Sequence, residues 1–191
     1  MHRSRRDFLE QAFGMAATAL AAVPAAPART EEIARDTGPN EKIRVAVIGV
    51  NGQGGSHLEE WMSNPDCRLV AVCDCDPNAF AKQEKRFRDR NYPRPDYEQD
   101  VRRLLARQDI DAVSIATPNH WHALMAVWAM QSGKDVYVEK PCSHNVEEGR
   151  VITNWARKLG RMCQMGVQSR SMPGMRQTIE FVRSGGVGPV K

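Results

Sequence analysis

The residues whose type and spacing most clearly suggest a chemical role are the glycines of segment 49–55, where four of seven positions are glycine. The segment follows a short apolar run, residues 43–48, that is typical of a buried parallel strand. Residues 56–62 are then predicted to begin a helix. Glycine lets the backbone adopt positive φ and approach a ligand closely, and the N–H groups at a helix start attract anions. The pattern therefore predicts a phosphate site at this turn.

The dinucleotide fingerprint G-x-G-x-x-G would fall on positions 49, 51 and 54, but position 51 is asparagine. Gly49 and Gly54 fit the fingerprint, and Gly52 lies beside the exception. Because asparagine is the non-glycine residue that best tolerates positive φ, we expect Asn51 to preserve the turn. Taken alone, the loop leaves two interpretations open, a nucleotide site and an ordinary strand-to-helix turn.

A carboxylate at the end of the second predicted strand, residues 68–74, favours the nucleotide. Asp74 lies twenty positions after Gly54, where an acid can accept both ribose hydroxyls of an adenosine and repel a 2′-phosphate. The alternative is a solvated acid at a turn, because the sequence from Asp74 to Pro77 is also typical of turns. We favour the ribose contact, and with it NAD over NADP as the cofactor.

Strands and helices alternate along the whole of this region. Strands are predicted over 43–49, 68–74, 110–116, 135–139 and 162–167, and helices over 56–62, 77–90, 97–107, 120–132 (capped by Asn119), 145–160 and 173–184. This alternation predicts an α/β fold, a Rossmann-type doubly wound parallel sheet that binds ligands at the carboxyl ends of its strands. Unusual polar residues fall at those ends: Asp74, 117–122, 139–140 and 168–170.

Other chemistries find less support in the composition. The five cysteines show no metal-ligand spacing and their odd number argues against a complete disulfide framework, so we expect Cys73 to be a small buried hydrophobe. His120 and His122 could be a metal pair, but two ligands are not a site, and hydrogen-bonded packing is the more common role of such a histidine. We therefore predict no metal. The net charge of +4 without a basic stripe argues against a nucleic-acid partner.

The first 28 residues resemble a twin-arginine export signal. Arg5 and Arg6 precede an Ala-rich run to Val23, and small residues follow at 24–28. The run is too short and too weakly apolar for a permanent membrane anchor. The alternative is an ordinary amphipathic first helix. We expect export to the periplasm by the twin-arginine translocase, and a flexible linker over the polar residues 29–41.

Three segments and one acid together resemble the glucose–fructose oxidoreductase / inositol dehydrogenase / MocA (Gfo/Idh/MocA) family. These are 49–55, Asp74, the A-T-P-N-H-W-H-A segment at 116–123, and V-E-K-P at 138–141. The resemblance covers residues 43–191. It implies an oxidoreductase that uses NAD or NADP to act on sugar or polyol hydroxyls, with hydride transfer to the nicotinamide.

The resemblance also implies a role for each matching position. The pyrophosphate would be held by Gly49, Asn51, Gly52, Gln53 and Gly54, and the adenosine ribose by Asp74. The nicotinamide half would be lined by Thr117, Pro118, Asn119, His120 and Glu139. Lys140 would be the catalytic residue, whose ammonium orients a sugar hydroxyl and helps to move its proton; without the family it could equally be a surface lysine. Gln168 and Arg170 would contact the substrate at the edge of the cleft.

Members of the family have a second, substrate-carrying domain, and this determines the expected domain organisation. We expect the dinucleotide-binding domain over 42–188, the start of a crossover at 189–191, and no C-terminal domain in this chain. The chain would then be the nucleotide-binding half of an exported oxidoreductase. The alternatives are a non-catalytic dinucleotide-binding or interaction module, which could form an oligomer, and an inactive truncated fragment. An apolar surface near 162–191 would indicate docking to a partner, and a methyltransferase-type sheet is a more distant alternative.

Overall fold

A six-stranded parallel sheet forms the centre of residues 42–189, the part of the chain that the computed structural model describes. Its strands are β1 (Ile43–Ile48), β2 (Cys67–Cys73), β3 (Asp96–Glu98), β4 (Ala112–Ile115), β5 (Asp135–Glu139) and β6 (Cys163–Gly166). All neighbouring strands pair in parallel. The α/β doubly wound fold predicted from the sequence is confirmed. The predicted signal peptide at 1–28 and linker at 29–41 lie outside the described residues.

In the part of the chain that the structure describes, five α-helices connect the strands and a sixth follows β6. They are α1 (Gly54–Ser63), α2 (Pro77–Asp89), α3 (Val101–Ala106), α4 (His122–Gln131), α5 (Val146–Leu159) and α6 (Pro173–Arg183). Short 3-10 helices at Asn119–Trp121 and Gln168–Ser171 precede α4 and α6. Among the described residues, no helix is both long enough and apolar enough to span a bilayer.

Several helix boundaries follow from local chemistry. Asp76 caps α2 by accepting a hydrogen bond from the Asn78 N–H, and Pro77 occupies the first turn. Asn145 caps α5 through the Glu148 N–H at 2.9 Å, as its sequence predicts. Gly160 ends α5 in the left-handed conformation, with φ of 60°.

Valine, isoleucine and alanine of the central strands fill the core on both faces of the sheet. One cluster, which includes Ile48, Ile115 and Val138, packs against α3, α4 and α5. The other cluster, which includes Val47 and Val72, packs against α1 and α2. Because both faces are covered, the central strands are apolar almost throughout rather than alternating.

The strand order β3-β2-β1-β4-β5-β6 determines where a ligand fits. The chain winds outward from β1 in one direction through β3, then crosses back to β4 and winds outward in the other direction. The loops after β1 and β4 therefore diverge to opposite faces and leave a crevice at the carboxyl ends of these two strands. The polar residues singled out in the sequence follow β1, β2, β4, β5 and β6 at this edge.

Two predicted boundaries are wrong. Residues 97–107 are not one helix, because Asp96–Glu98 is an edge strand paired with β2 and the helix begins only at Val101. Asp100 caps that helix through the Arg102 N–H. Asn119 does not cap α4: it lies inside the 3-10 helix, and its side chain makes no capping hydrogen bond.

Candidate functional site

Two glycines allow the turn after β1 to pack closely. Gly49 has φ of 82°, and a Cβ there would lie 2.9 Å from the backbone of Ala116 and Thr117 at the end of β4. A Cβ at Gly54 would lie 1.8 Å from the Gly49 carbonyl oxygen. These positions correspond to the first and last glycines of the fingerprint. They bring the loop after β1, the start of α1 and the end of β4 into backbone contact.

The exception at position 51 has a different explanation from the predicted one. The only non-glycine residue with positive φ among residues 42–189 is Asn91, so Asn51 does not use the left-handed conformation and the prediction that it does is wrong. Asn51 instead accepts hydrogen bonds from Lys82 Nζ, at 2.8 Å to its carbonyl and 3.2 Å to its side chain. Helix α2 therefore supports the exposed side of the loop.

The loop has backbone N–H groups that the rest of the described chain leaves unpaired. Gln53 precedes α1 without a side-chain cap, so the helix start is not blocked by its own chain. Within residues 42–189, the N–H groups of Asn51, Gly52 and Gln53 have no hydrogen-bond acceptor. A Cβ at Gly52 would meet nothing within 4 Å. The segment therefore retains both the donors and the open space that a pyrophosphate requires.

Asp74 lies directly beside this loop, at the carboxyl end of β2. Its Oδ2 accepts the Val50 N–H at 2.8 Å and its Oδ1 accepts the Asp76 N–H at 3.0 Å. The side chain is half-buried, so backbone contacts fix the carboxylate while leaving part of it accessible. The carboxylate therefore lies at the edge of the glycine loop.

The segment after β4 forms the opposite wall of the crevice. Thr117 is half-buried and its Oγ1 is enclosed without a hydrogen-bond partner among the described residues. Pro118, Asn119 and His120 are exposed, and the His120 ring lies tilted against Trp121 at 5.9 Å. An enclosed hydroxyl without a partner is costly unless something else satisfies it. Thr117 therefore fits a site that a polar ligand completes.

His122 connects this wall to the loop after β5. Its ring is buried, and it hydrogen-bonds to the carbonyl oxygens of Pro141 and Thr117 at 2.6 and 2.7 Å. The interpretation of His122 as a hydrogen-bonded packing residue is confirmed. No group of three potential metal ligands occurs among residues 42–189.

Glu139, the last residue of β5, lies at the centre of a buried polar cluster. Its Oε1 accepts hydrogen bonds from His57 Nε2, at 3.1 Å, and from the Gln168 side chain. Its Oε2 accepts the Lys140 N–H at 2.8 Å. The other ring nitrogen of His57 contacts Ser114 Oγ at 2.8 Å. The two oxygens of Glu139 thus have protein partners from three elements.

These contacts determine the ionisation of Glu139. Burial raises the pKa of its carboxyl group, but hydrogen bonds from His57, Gln168 and the Lys140 N–H lower it by more, so the pKa lies below its ordinary value. Glu139 is therefore a buried carboxylate that stays ionised at neutral pH. Its charge stabilises the donors around it.

Lys140 and Arg170 lie outside this cluster with exposed side chains. Lys140 follows Glu139 directly, and the bond from Lys140 to Pro141 is a cis peptide. Neither side chain makes a hydrogen bond or ion pair within residues 42–189. The Lys140 side chain is therefore accessible at the carboxyl end of β5.

Most of the predicted site is linked by direct contacts. The loop after β1 contacts Asp74 and Thr117, His122 joins Thr117 to Pro141, and Glu139 binds Gln168. Asn119, His120 and Arg170 lie at the same edge without a side-chain hydrogen bond among the described residues.

Sequence reasoning missed His57, Ser114 and Lys82. A signal existed for His57, because it follows Gly54 by three positions and precedes the buried Leu58, on the inner face of α1.

The arrangement defines a Rossmann-type nucleotide-binding domain. Comparison with known protein families shows to which family this domain belongs. Residues 43–167 match the model of the Gfo/Idh/MocA oxidoreductase family with an NAD-binding Rossmann fold. The chain belongs to this family.

One sequence relative and two solved structures with the same fold are similar to the chain. A glycosyl hydrolase family 109 protein from Saccharopolyspora erythraea is 34% identical over 178 residues, which cover 89% of this chain and 38% of that protein. A scyllo-inositol dehydrogenase from Lactobacillus casei, solved with NAD(H) and scyllo-inositol, superposes with a TM-score of 0.66 at 21% identity, over 78% of this chain and 43% of that one. A 3-ketoreductase from Actinomadura kijaniata, solved with NADP and TDP-benzene, superposes with a TM-score of 0.68 at 24% identity, over 76% and 43%. The chain thus spans about two fifths of the lengths of these proteins.

Proposed function

We propose that this chain is the cofactor-binding half of an oxidoreductase that acts on a hydroxyl group of a sugar or polyol. The observation that carries the proposal is the continuous set of contacts that joins the glycine loop, Asp74, Thr117 and the Glu139–Lys140 strand end at one crevice. Family membership supports the dinucleotide, and the inositol dehydrogenase supports a polyol substrate. The activity of a whole enzyme is part of the proposal, because the chain spans only part of its relatives.

The residues present fit a nicotinamide dinucleotide. The N–H groups of Asn51, Gly52 and Gln53 would receive the pyrophosphate, assisted by the close packing of Gly49 and Gly54. The hydroxyl of Thr117, enclosed without a partner among the described residues, would receive a polar group of the nicotinamide half, which Pro118, Asn119 and His120 would line. When bound, the nicotinamide accepts the hydride from the substrate carbon.

Lys140 is the residue that we propose for the proton transfer. Its side chain extends from the end of β5 without an internal partner in the described part of the chain. As a neutral amine it would accept the proton of the substrate hydroxyl while the hydride leaves the carbon, and the resulting ammonium would donate a hydrogen bond to the carbonyl oxygen that forms. Glu139 would border the nicotinamide while fixing the Lys140 backbone through the 2.8 Å hydrogen bond. Gln168 and Arg170, on the 3-10 helix after β6, would contact the substrate at the rim.

We propose NAD rather than NADP as the cofactor. The Asp74 carboxylate is held by two backbone N–H groups, and among residues 42–189 no basic side chain pairs with it. Lys82, the nearby base on α2, is occupied by Asn51. A carboxylate in this position accepts ribose hydroxyls and repels a 2′-phosphate.

Calorimetric titration of the full chain with NAD and with NADP tests the cofactor assignment. We expect NAD to bind more tightly, and Asp74→Ala to weaken NAD binding by roughly 10- to 100-fold, the effect of losing hydrogen bonds to a charged acceptor. The matched control is Asp89→Ala, which removes an exposed acid on α2 that pairs with Lys85. Failure of both nucleotides to bind the folded wild-type chain would overturn the proposal.

We further propose export through the twin-arginine translocase, with the periplasm as the destination. The support is the order of paired arginines, Ala-rich run and small residues in the first 28 positions. Replacing Arg5 and Arg6 by lysine should retain the full-length chain in the cytoplasm, whereas Arg29→Lys, just after the predicted cleavage region, should not. Cell fractionation measures both, and unchanged export of the double variant would contradict the proposal.

A second candidate function, an interaction module, is favoured by exposed apolar side chains. Met165 on β6 and Met175, Ile179 and Phe181 on α6 are each at least 38% exposed, and no residue of α6 is buried. Such a surface is typical of one that packs against another protein segment. Size-exclusion chromatography with light scattering distinguishes a monomer from an oligomer formed through it.

A third candidate, cleavage of a glycosidic bond, is favoured by the name of the Saccharopolyspora relative. Nicotinamide-dependent glycoside hydrolysis is an established exception among glycosidases, so it would use the same cofactor site. Release of a chromogenic aglycone, dependent on added NAD and lost in Lys140→Met, would favour this candidate over a simple dehydrogenase.

A further inference from the structure

His122 lies between two loops of the proposed site. Its ring is buried, with 2% of the residue surface exposed, at the first position of α4. Nδ1 lies 2.6 Å from the carbonyl oxygen of Pro141, and Nε2 lies 2.7 Å from the carbonyl oxygen of Thr117. One side chain therefore contacts both the loop that carries Lys140 and the loop proposed to face the nicotinamide.

Both partners of the ring are carbonyl oxygens, which only accept hydrogen bonds. A neutral imidazole has one N–H donor and one lone pair, so one of the two contacts would place two lone pairs against each other. The imidazolium has two N–H donors and satisfies both carbonyls. The separations of 2.6 and 2.7 Å also fall at the short end of the range for charged donors.

We infer that His122 is an imidazolium that ties the Thr117 loop to the Pro141 loop and thereby positions Lys140 against the cofactor. The inference that the tie serves catalysis rests on the proposed function. The protonation state does not, because it follows from the two carbonyls alone.

The charged groups around the ring have other partners or are exposed. Several titratable groups lie near the two carbonyls along the chain or at the start of helix α5, which packs against α4. They are His120, Glu139, Lys140, Cys142, Glu147 and Glu148. Helix α3, which also contacts α4, contributes the exposed Arg102 and Arg103. Glu139 binds His57 and the Lys140 N–H, Glu147 pairs with Arg150, and Glu148 accepts the His144 N–H. Within residues 42–189, the hydrogen bonds of the ring are those to the two carbonyls.

The link that His122 forms between the two loops should therefore weaken as the pH rises. When the imidazolium loses a proton, one N–H donor disappears and one of the two loops loses its contact with the ring. We expect the affinity for NAD to fall by roughly tenfold as the ring deprotonates, the effect of losing one charge-assisted hydrogen bond.

Nuclear magnetic resonance of the full chain, labelled with ¹⁵N at histidine, tests the protonation without any nucleotide. The ring nitrogen shifts and N–H couplings distinguish an imidazolium from either neutral tautomer. We expect two protonated ring nitrogens for His122 at about pH 6. The His122→Gln variant assigns the signal, and if it does not fold, through-space contacts to Thr117 and Pro141 assign it in the wild type. A neutral His122 at this pH would overturn the inference.

Titration of NAD into the same chain at several pH values tests the positioning role. The wild type and the exposed control His144→Gln should lose affinity in parallel as the His122 signal deprotonates, whereas His122→Gln should show little pH dependence. Wild-type affinity that stays constant while His122 deprotonates would overturn the role. If NAD does not bind at any pH, the proposed function fails, and the nucleotide-free spectrum still decides whether the buried imidazolium exists.

Discussion

His57, in the first turn of α1, donates a hydrogen bond from Nε2 to Oε1 of Glu139 at the end of β5, across 3.1 Å. Both side chains are buried, and the assignment of the proton to Nε2 follows because a carboxylate only accepts. Helix α1 starts at the glycine loop, and Glu139 binds the backbone of Lys140. The pair therefore couples the proposed phosphate site to the proposed catalytic lysine.

Glu139→Gln should destabilise the protein at neutral pH by about 2 kcal/mol, because charge-assisted hydrogen bonds become neutral ones in a buried cluster. The pKa of Glu139 is lowered from its ordinary value of 4.5, so its contribution to stability is present above that value. The contribution is lost as the pH falls through the lowered folded-state pKa. Thermal unfolding between about pH 7 and pH 3 should show the difference between wild type and variant shrinking with acid.

The matched control for this variant is Glu60→Gln, an exposed acid on the same helix as His57. It should unfold like the wild type across the whole pH range. A difference between wild type and Glu139→Gln that does not change with pH would contradict the role of the ionised carboxylate.

Lys134 is a buried lysine that stabilises the fold through hydrogen bonds to backbone carbonyls. Its side chain is fully buried before β5, and its ammonium donates to the carbonyl oxygens of Arg107, at 2.6 Å, and Ile110, at 3.1 Å. Lys134→Met should cost about 2–4 kcal/mol, because these two carbonyls lose a charged donor. Denaturant unfolding measures the loss. The exposed Lys85→Met should change stability by less than about 1 kcal/mol, and an equally small effect at Lys134 would contradict the assignment.

The central strands were predictable because their signal is local and strong. Runs of valine and isoleucine such as residues 43–48 indicate a strand that is buried on both faces. Capping residues such as Asn145 indicate where a helix begins. Strand β3 was missed because Asp96–Glu98 is short and polar. Its identity as a strand comes from pairing with β2, a contact that no local pattern encodes.

The same contrast between local patterns and long-range contacts applies to the residues of the site. Asp74, Thr117 and Glu139 were predictable because the topology places every strand end at one edge. The partner of Glu139 was not, because His57 precedes it by 82 positions and only the folded sheet brings them together. Asn51 misled the prediction for a related reason: its support comes from Lys82 on another helix rather than from its own backbone preference.

The cysteines should differ sharply in reactivity. Burial, followed by the nearby carboxylates of Glu98, Asp74 and Asp100, raises the pKa of Cys73 to about 12. At pH 8 about one Cys73 in 10⁴ is then a thiolate, the form that reacts. Cys75 is an exposed free thiol two positions away. Brief alkylation followed by peptide mass spectrometry should label Cys75 and leave Cys73 unmodified unless the protein is first unfolded. Equal labelling of both in the folded protein would contradict the burial of Cys73.

Substitutions at two glycines of the loop should affect different properties, stability at Gly54 and ligand binding at Gly52. A Cβ at Gly54 would collide with the Gly49 carbonyl oxygen at 1.8 Å, whereas a Cβ at Gly52 would meet nothing within 4 Å. Gly54→Ala should therefore destabilise the fold, by about 3 kcal/mol or more, since the turn and the start of α1 must move apart. Gly52→Ala should unfold at the wild-type temperature but bind NAD at least roughly tenfold more weakly, because a methyl group would occupy the space that a pyrophosphate needs.

Thermal unfolding and calorimetry on the two variants measure these effects independently. If Gly52→Ala keeps both the stability and the NAD affinity of the wild type, the backbone at position 52 does not approach the cofactor. The pyrophosphate would then lie against another part of the turn, and the assignment of Gly52 would be wrong. If Gly54→Ala folds normally, the close packing of α1 on Gly49 is not required for the turn.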